Sequence, residues 1–85
     1  MKILFSEKAW IDYLHWQNTD KKVLKRINIL VRDISRDPYK SQGKPEPLKY
    51  KYKGSWSRRI DSEHRLIYQV MGEEIHILKC RYHYE

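Results

Sequence analysis

The side chains best suited to chemistry lie in the C-terminal half of this 85-residue chain: Glu46, Arg59, Arg65 and His83. Glu46 is the one carboxylate between Lys40 and Arg59, and the cations around it favour a charged, proton-accepting group. Histidine, with an unperturbed pKa of roughly 6.5, can donate a proton near neutrality, and His83 is the last of the histidines. Arg59 and Arg65 offer forked donors that match a phosphate. A base, an acid and cations to stabilise a phosphorane are what metal-free cleavage of RNA by its own 2′-hydroxyl requires. Each residue also has a plainer reading. A Glu among lysines is commonly a surface ion pair, a His between two Tyr is commonly a half-buried strand residue, and spacing alone does not make Glu46, Arg65 and His83 converge.

The charge distribution points the same way. Lys plus Arg number 18 against 11 Asp plus Glu, a net charge of +7. Between Lys40 and Arg59 stand seven basic residues (Lys40, Lys44, Lys49, Lys51, Lys53, Arg58, Arg59) against Glu46 alone, so this window carries +6. Lys49, Lys51 and Lys53 alternate with Leu48, Tyr50 and Tyr52, which predicts a strand with one basic face. Lysines interleaved with aromatics suit a surface that tracks a phosphate backbone and stacks bases. A solvated face that protects a sheet edge from aggregation explains the alternation equally well.

Other classes are excluded or disfavoured. Eighty-five residues fit a single domain, 1–85, and are too few for a dinucleotide fold. The lone Cys80 rules out an intramolecular disulfide and is expected to be a buried small hydrophobe. His15, His64, His76 and His83 show no metal-ligand spacing, and neither metal nor cofactor is expected. His15 and His76 read as structural, and Trp10, Trp16 and Trp56 as core or interface. The apolar run Ile3 to Phe5 is too short for a signal or membrane segment, so a cytoplasmic location is expected.

The elements that must position these residues follow from periodicity. Lys2 to Phe5 reads as a strand, and Ser6 is placed to cap a helix reaching Gln17, with Trp10, Tyr13, Leu14 and Gln17 along its inner side. Thr19 is placed to cap a second helix. There Val23, Leu24, Ile27, Leu30, Val31 and Ile34 keep helical spacing, and Asp37-Pro38 ends it. A turn-rich loop, 38–47, precedes the alternating segment 48–53. Trp56–Ile60, Arg65–Met71 and Glu74–Tyr84 read as further strands, with turns at Asp61–Glu63 and Gly72-Glu73. The order β-α-α-β-β-β-β predicts an α+β fold: two N-terminal helices packed on one face of a mainly antiparallel four- to five-stranded sheet, the other face left for a partner.

These residues also carry a family resemblance. Phe5-Ser6-Glu7 with Trp10, Gly43-Lys44-Pro45-Glu46-Pro47-Leu48-Lys49, Trp56-Ser57-Arg58-Arg59-Ile60, Glu63-His64-Arg65-Leu66-Ile67-Tyr68 and Cys80-Arg81-Tyr82-His83-Tyr84 follow one another as in the YoeB toxins, within the RelE/ParE superfamily of bacterial type II toxin–antitoxin systems. The resemblance implies a ribosome-dependent mRNA endonuclease that cuts in the A site and halts translation. It implies Glu46 as general base, Arg65 as transition-state clamp, His83 as general acid, and Tyr84 orienting either RNA or His83. Lys49 and Arg59 match phosphate-binding positions, to which the basic window adds Lys44, Lys51 and Lys53. Glu63 is expected to hold an arginine in place. The implied partners are a YefM/Phd-type antitoxin with an acidic tail, the ribosome and mRNA, and operator DNA through the toxin–antitoxin complex, with homodimers also formed in this group. A ParE-like toxin acting on DNA gyrase and a plain RNA-binding module are the competing functions. Tyr50-Lys51-Tyr52-Lys53 is more basic and aromatic than the family pattern, and Glu85 is an additional carboxylate close to His83.

Overall fold

Ser6 both ends the first strand and starts the first helix, because its hydroxyl can accept and donate at once. In the computed structural model, which describes residues 1–83, its Oγ accepts from the Ala9 N–H at 3.0 Å and donates to the Leu78 carbonyl at 2.9 Å. Strand β1 (Lys2–Phe5) thus passes directly into helix α1 (Glu7–Thr19). The cap of helix α2 (Lys21–Arg36) is Asp20, whose carboxylate accepts from Lys22 and Val23. Thr19, expected in that role, instead donates its hydroxyl to the His15 carbonyl within α1. Asp20 wins because its Oδ1 reaches two unsatisfied N–H groups and its charge suits a helix N-terminus.

The strands are β2 (Glu46–Pro47), β3 (Trp56–Arg59), β4 (Arg65–Met71) and β5 (Glu74–Lys79), in the spatial order β1-β5-β4-β3-β2. All neighbours are antiparallel except β1 and β5, which run parallel through the crossover formed by the two helices. The expected α+β architecture is therefore present, with five strands and both helices on one face. The last strand stops at Lys79 and does not reach Tyr84, the chain bending after Cys80.

One predicted strand is displaced. Residues 48–53 form a short 3-10 turn (Tyr50–Tyr52) closed by Tyr52 N–H to Lys49 O and Lys53 N–H to Tyr50 O, and the actual strand is the two-residue β2 just before it. Alternation makes a strand only when one set of side chains is buried. Leu48 is buried, but Tyr50, the next member of the same set, is 92% exposed, so no second layer covers the alternation past Leu48. Lys49, Lys51 and Lys53 consequently radiate from a turn and do not share one strand face.

The core between helices and sheet contains Trp16, Ile27, Leu30, Ile34, Leu66, Tyr68, Ile75, Ile77 and Cys80. Helix α2 buries its predicted stripe, but α1 is rotated from expectation: Ala9, Asp12 and Trp16 face inward while Trp10 is 48% exposed. Asp12 tolerates burial because the Cys80 N–H (3.0 Å) and the Lys8 ammonium (2.6 Å) satisfy its two oxygens. Outside, Trp10 stacks on Tyr13 with centroids 5.6 Å apart.

Candidate active site

Sheet register places the candidate residues before any side chain is considered. Glu46 pairs with Ser57, Ser57 with Ile67, and Arg59 with Arg65. Directly paired residues share a face and successive residues alternate, so Glu46, Arg59 and Arg65 lie on the face opposite the helices. The intervening Arg58, Leu66 and Tyr68 point into the core. A cleft of about 520 Å³ opens beside β2, lined by Glu46, Pro47, Leu48, Lys49, Tyr50, Lys51, Tyr52 and His83. It brings the predicted base, two predicted phosphate ligands, Lys49 and Lys51, and the predicted acid together from segments far apart in sequence. Arg59 and Arg65 sit on the adjoining strands and are not in that lining, nor are Lys44 and Lys53. Tyr84 lies outside the described residues.

The neighbouring arginines of β3 separate completely. Arg59 is exposed. Arg58, counted with the basic surface on sequence grounds, is fully buried and belongs to no surface. Its Nη1 donates to Asp33 Oδ2 at 2.6 Å and Gln42 O at 3.0 Å, its Nη2 to Asp37 O at 2.7 Å and Lys40 O at 2.8 Å, and its Nε to Tyr68 OH at 3.2 Å. Tyr68 in turn donates to Pro38 O at 2.5 Å. One guanidinium thus gathers the carbonyls of the loop after α2. Burial raises the Asp33 pKa, but the Gln42 N–H, the Ser41 side chain and Arg58 together outweigh it, leaving the carboxyl below its ordinary value. Burial first, partly opposed by Arg58, raises the pKa of the Tyr68 phenol, which stays protonated as a donor.

That loop delivers Glu46. Gly43, at φ +81°, accepts through its carbonyl from the Arg59 N–H at 2.7 Å, and Lys44 follows at φ +49° before the chain joins β2. A side chain on Gly43 would meet Leu30 Cδ2 at 3.0 Å, Arg58 Cβ at 3.1 Å and Arg59 O at 3.2 Å, so close approach as well as φ requires glycine here.

Arg65 is only 8% exposed, and its Nη1 donates to the carbonyls of Asp61 (2.7 Å) and His64 (3.1 Å). Glu63, expected to hold an arginine, has its carboxylate 3.8 Å from His64 Nε2, and backbone carbonyls anchor Arg65. The turn itself is built by Asp61, whose carboxylate accepts from the N–H groups of Glu63 and His64. His83 is exposed beside the cleft, and the Lys79 ammonium donates to its carbonyl at 2.9 Å. Lys51 lies over the Tyr52 ring, 5.4 Å from its centroid, within reach of a cation–π contact.

Sequence reasoning overlooked Asp33, Asp12 and His64. Only Asp12 left a trace, in its helical spacing from Ala9 and Trp16. Cys80 is buried as expected; burial foremost, with Asp12 adding to it, pushes its thiol up to about 12. Among the described residues no three His, Cys, Asp or Glu are grouped as a metal site, and no helix is long and apolar enough to cross a membrane.

Two helices on one face of this sheet, with a basic cleft and His83 at the other, make a small α+β domain of the architecture found in YoeB/ParE toxins. The chain belongs to the YoeB-like toxins of bacterial type II toxin–antitoxin systems, whose family model matches residues 5–84. It is 54% identical over 84 residues to toxin YoeB of Escherichia coli K12, covering 99% of this chain and all of that one. The YoeB/ParE toxin from Agrobacterium tumefaciens superposes with a TM-score of 0.96 at 44% identity, over 99% of this chain and 100% of that one. Toxins from Staphylococcus aureus, solved as a YoeB-YefM complex and as a YoeB dimer, give TM-scores of 0.90 and 0.91 at 45% and 46% identity; each covers 99% of this chain and 98% of the other.

Proposed function

We propose that this toxin is an endoribonuclease that cleaves mRNA presented in the A site of the ribosome. The observation that supports it most is the cleft shared by Glu46, Lys49 and His83, beside the paired Arg59 and Arg65. Glu46 takes the proton of the ribose 2′-hydroxyl, whose oxygen attacks the adjacent phosphorus. Arg65, held by two carbonyls, stabilises the charge growing on the phosphorane, with Lys49 and Arg59 on the flanking phosphates. His83 protonates the departing 5′-oxygen, leaving a 2′,3′-cyclic phosphate and a 5′-hydroxyl. Lys44, Lys51 and Lys53 add sequence-independent attraction for the backbone. Tyr50 offers an exposed ring for a base, and Tyr84 orients RNA or His83.

In the cytoplasm, a YefM-type antitoxin controls the activity, by analogy with the Staphylococcus aureus complex. Its acidic tail competes with RNA for the basic cleft, operator DNA is reached through the toxin–antitoxin complex, and the toxin forms homodimers as the other Staphylococcus aureus structure suggests. Mapping mRNA ends on programmed ribosomes tests the catalytic reading. Codon-phased breaks are expected, and Glu46→Ala, Arg65→Ala and His83→Ala should each suppress them while remaining folded. Full cutting by all three folded variants would refute the site, and gyrase-linked DNA damage without mRNA breaks would refute the activity.

A further inference from the structure

His83 follows a residue in an uncommon conformation. Tyr82 has φ +64°, in the left-handed region that a bulky L-residue adopts only when its surroundings enforce it. Two hydrogen bonds do so. The Tyr82 N–H donates to His64 Nδ1 at 2.7 Å, and the Tyr82 carbonyl accepts from the Arg65 N–H at 2.9 Å. A backbone amide can only donate, so Nδ1 must carry the lone pair and the imidazole proton resides on Nε2. Glu63 Oε1, 3.8 Å from Nε2, favours that arrangement electrostatically. The ring is locked besides: its centroid lies 4.7 Å from that of Trp16, edge to face, and 5.7 Å from that of Tyr82. Trp16 fixes the same segment through Nε1–H to Cys80 O at 2.8 Å.

The backbone of His64 reaches the other side of the site, since its carbonyl accepts from Arg65 Nη1. One residue therefore bonds the guanidinium of the transition-state clamp and the main chain adjoining the general acid. We propose that His64, as the Nε2–H tautomer, is a positioning residue: by accepting from Tyr82 it holds the left-handed turn that presents His83 to the cleft. Its effect on cleavage rests on the RNase reading above, whereas its effect on the Tyr82 turn does not.

Substitutions separate this role from packing. His64→Asn puts an amide oxygen near the Nδ1 position but leaves space in the ring's place, and His64→Leu fills the space but cannot accept. His64→Leu should lower single-turnover cleavage on saturating programmed ribosomes by roughly 10- to 100-fold, the scale expected from displacing a catalytic group by about 1 Å. The ribosome concentration giving half-maximal rate should not change. His64→Asn should recover most of the rate, and the Tyr82 amide should exchange with solvent faster in the Leu variant than in the wild type or the Asn variant. Leu cleaving as fast as wild type, or Asn as slow as Leu with the amide protected in both, would overturn the proposal. If His64→Leu does not fold, His64→Gln, whose oxygen falls near Nε2 instead, takes its place with the same expected losses. A wild-type protein that cuts no mRNA would defeat the RNase reading, and the amide measurement would still decide the role of His64 in the turn.

Discussion

Replacing Arg58 by methionine should be among the most damaging single changes on the sheet, although sequence alone places this arginine on a solvated basic surface. Methionine keeps about the length of the apolar stem and removes the guanidinium with every donor. Five hydrogen bonds disappear, and Asp33 loses the guanidinium 2.6 Å away. Breaking a buried pair by deleting one partner costs about 3–5 kcal/mol. The Asp33 side chain keeps 14% exposure and can recruit water, which argues for the lower end, about 3 kcal/mol. A chain of this length has roughly 4–13 kcal/mol of total stability, so the variant folds but marginally. Asp33→Asn keeps the shape and one acceptor, exchanging a charge-assisted hydrogen bond for a neutral one at about 1 kcal/mol. Urea unfolding followed by tryptophan fluorescence reads both: with a slope of roughly 1.5 kcal/mol per molar, Arg58→Met should lower the midpoint by about 2 M. Because the two residues act as a pair, the double variant should be scarcely less stable than Arg58→Met. A loss below about 1 kcal/mol for Arg58→Met, or additive losses in the double variant, would refute this account of the loop.

Gly43→Ala must place a Cβ within 3.0–3.2 Å of three atoms at positive φ, and should cost about 2–4 kcal/mol from the backbone and overpacking together, measured by the same urea titration. It should also slow mRNA cutting at temperatures where the variant stays folded, since Gly43 precedes Glu46. The lowered pKa of Asp33 makes its contribution to stability fully present above its unfolded value of roughly 3.9 and lost as pH falls through the lower folded value; stability measured between pH 5 and 2 should decline less steeply in Asp33→Asn. With its thiol pushed up to about 12 and fully buried, Cys80 should resist iodoacetamide at neutral pH and react only after unfolding in urea, and ready labelling of the native protein would contradict that burial.

Much of the scaffold was readable because it rests on local patterns. The apolar stripe of α2, the Ser6 cap, the turns at Asp61 and Gly72 and the strands β3, β4 and β5, the last expected to run on past Lys79, are encoded within a few residues of one another. The loop segment around Glu46 and the C-terminal Tyr82-His83 pair were recognisable as a family pattern, and the described part of the cleft brings Glu46, Lys49 and His83 together. The stripe of Lys49, Lys51 and Lys53 misled because alternation reports a strand only where a second layer buries every other residue, and no layer covers Tyr50.

By itself, then, the sequence determined the family, the α+β class, the run of elements and the residue types available for acid–base chemistry on a phosphate. Tertiary structure alone decided what Arg58, Arg59, Asp12, Asp33 and His64 do. Arg58 and Arg59 are identical neighbours, yet one is a buried strut and the other an exposed candidate phosphate ligand, because adjacent strand residues face opposite sides and pairing with β4 sets which side is inward. Asp12, Asp33 and His64 likewise acquire their roles from partners 68, 25 and 18 residues away. Those distances exceed any local period, and the partners meet only once the sheet register and the packing of the helices are complete.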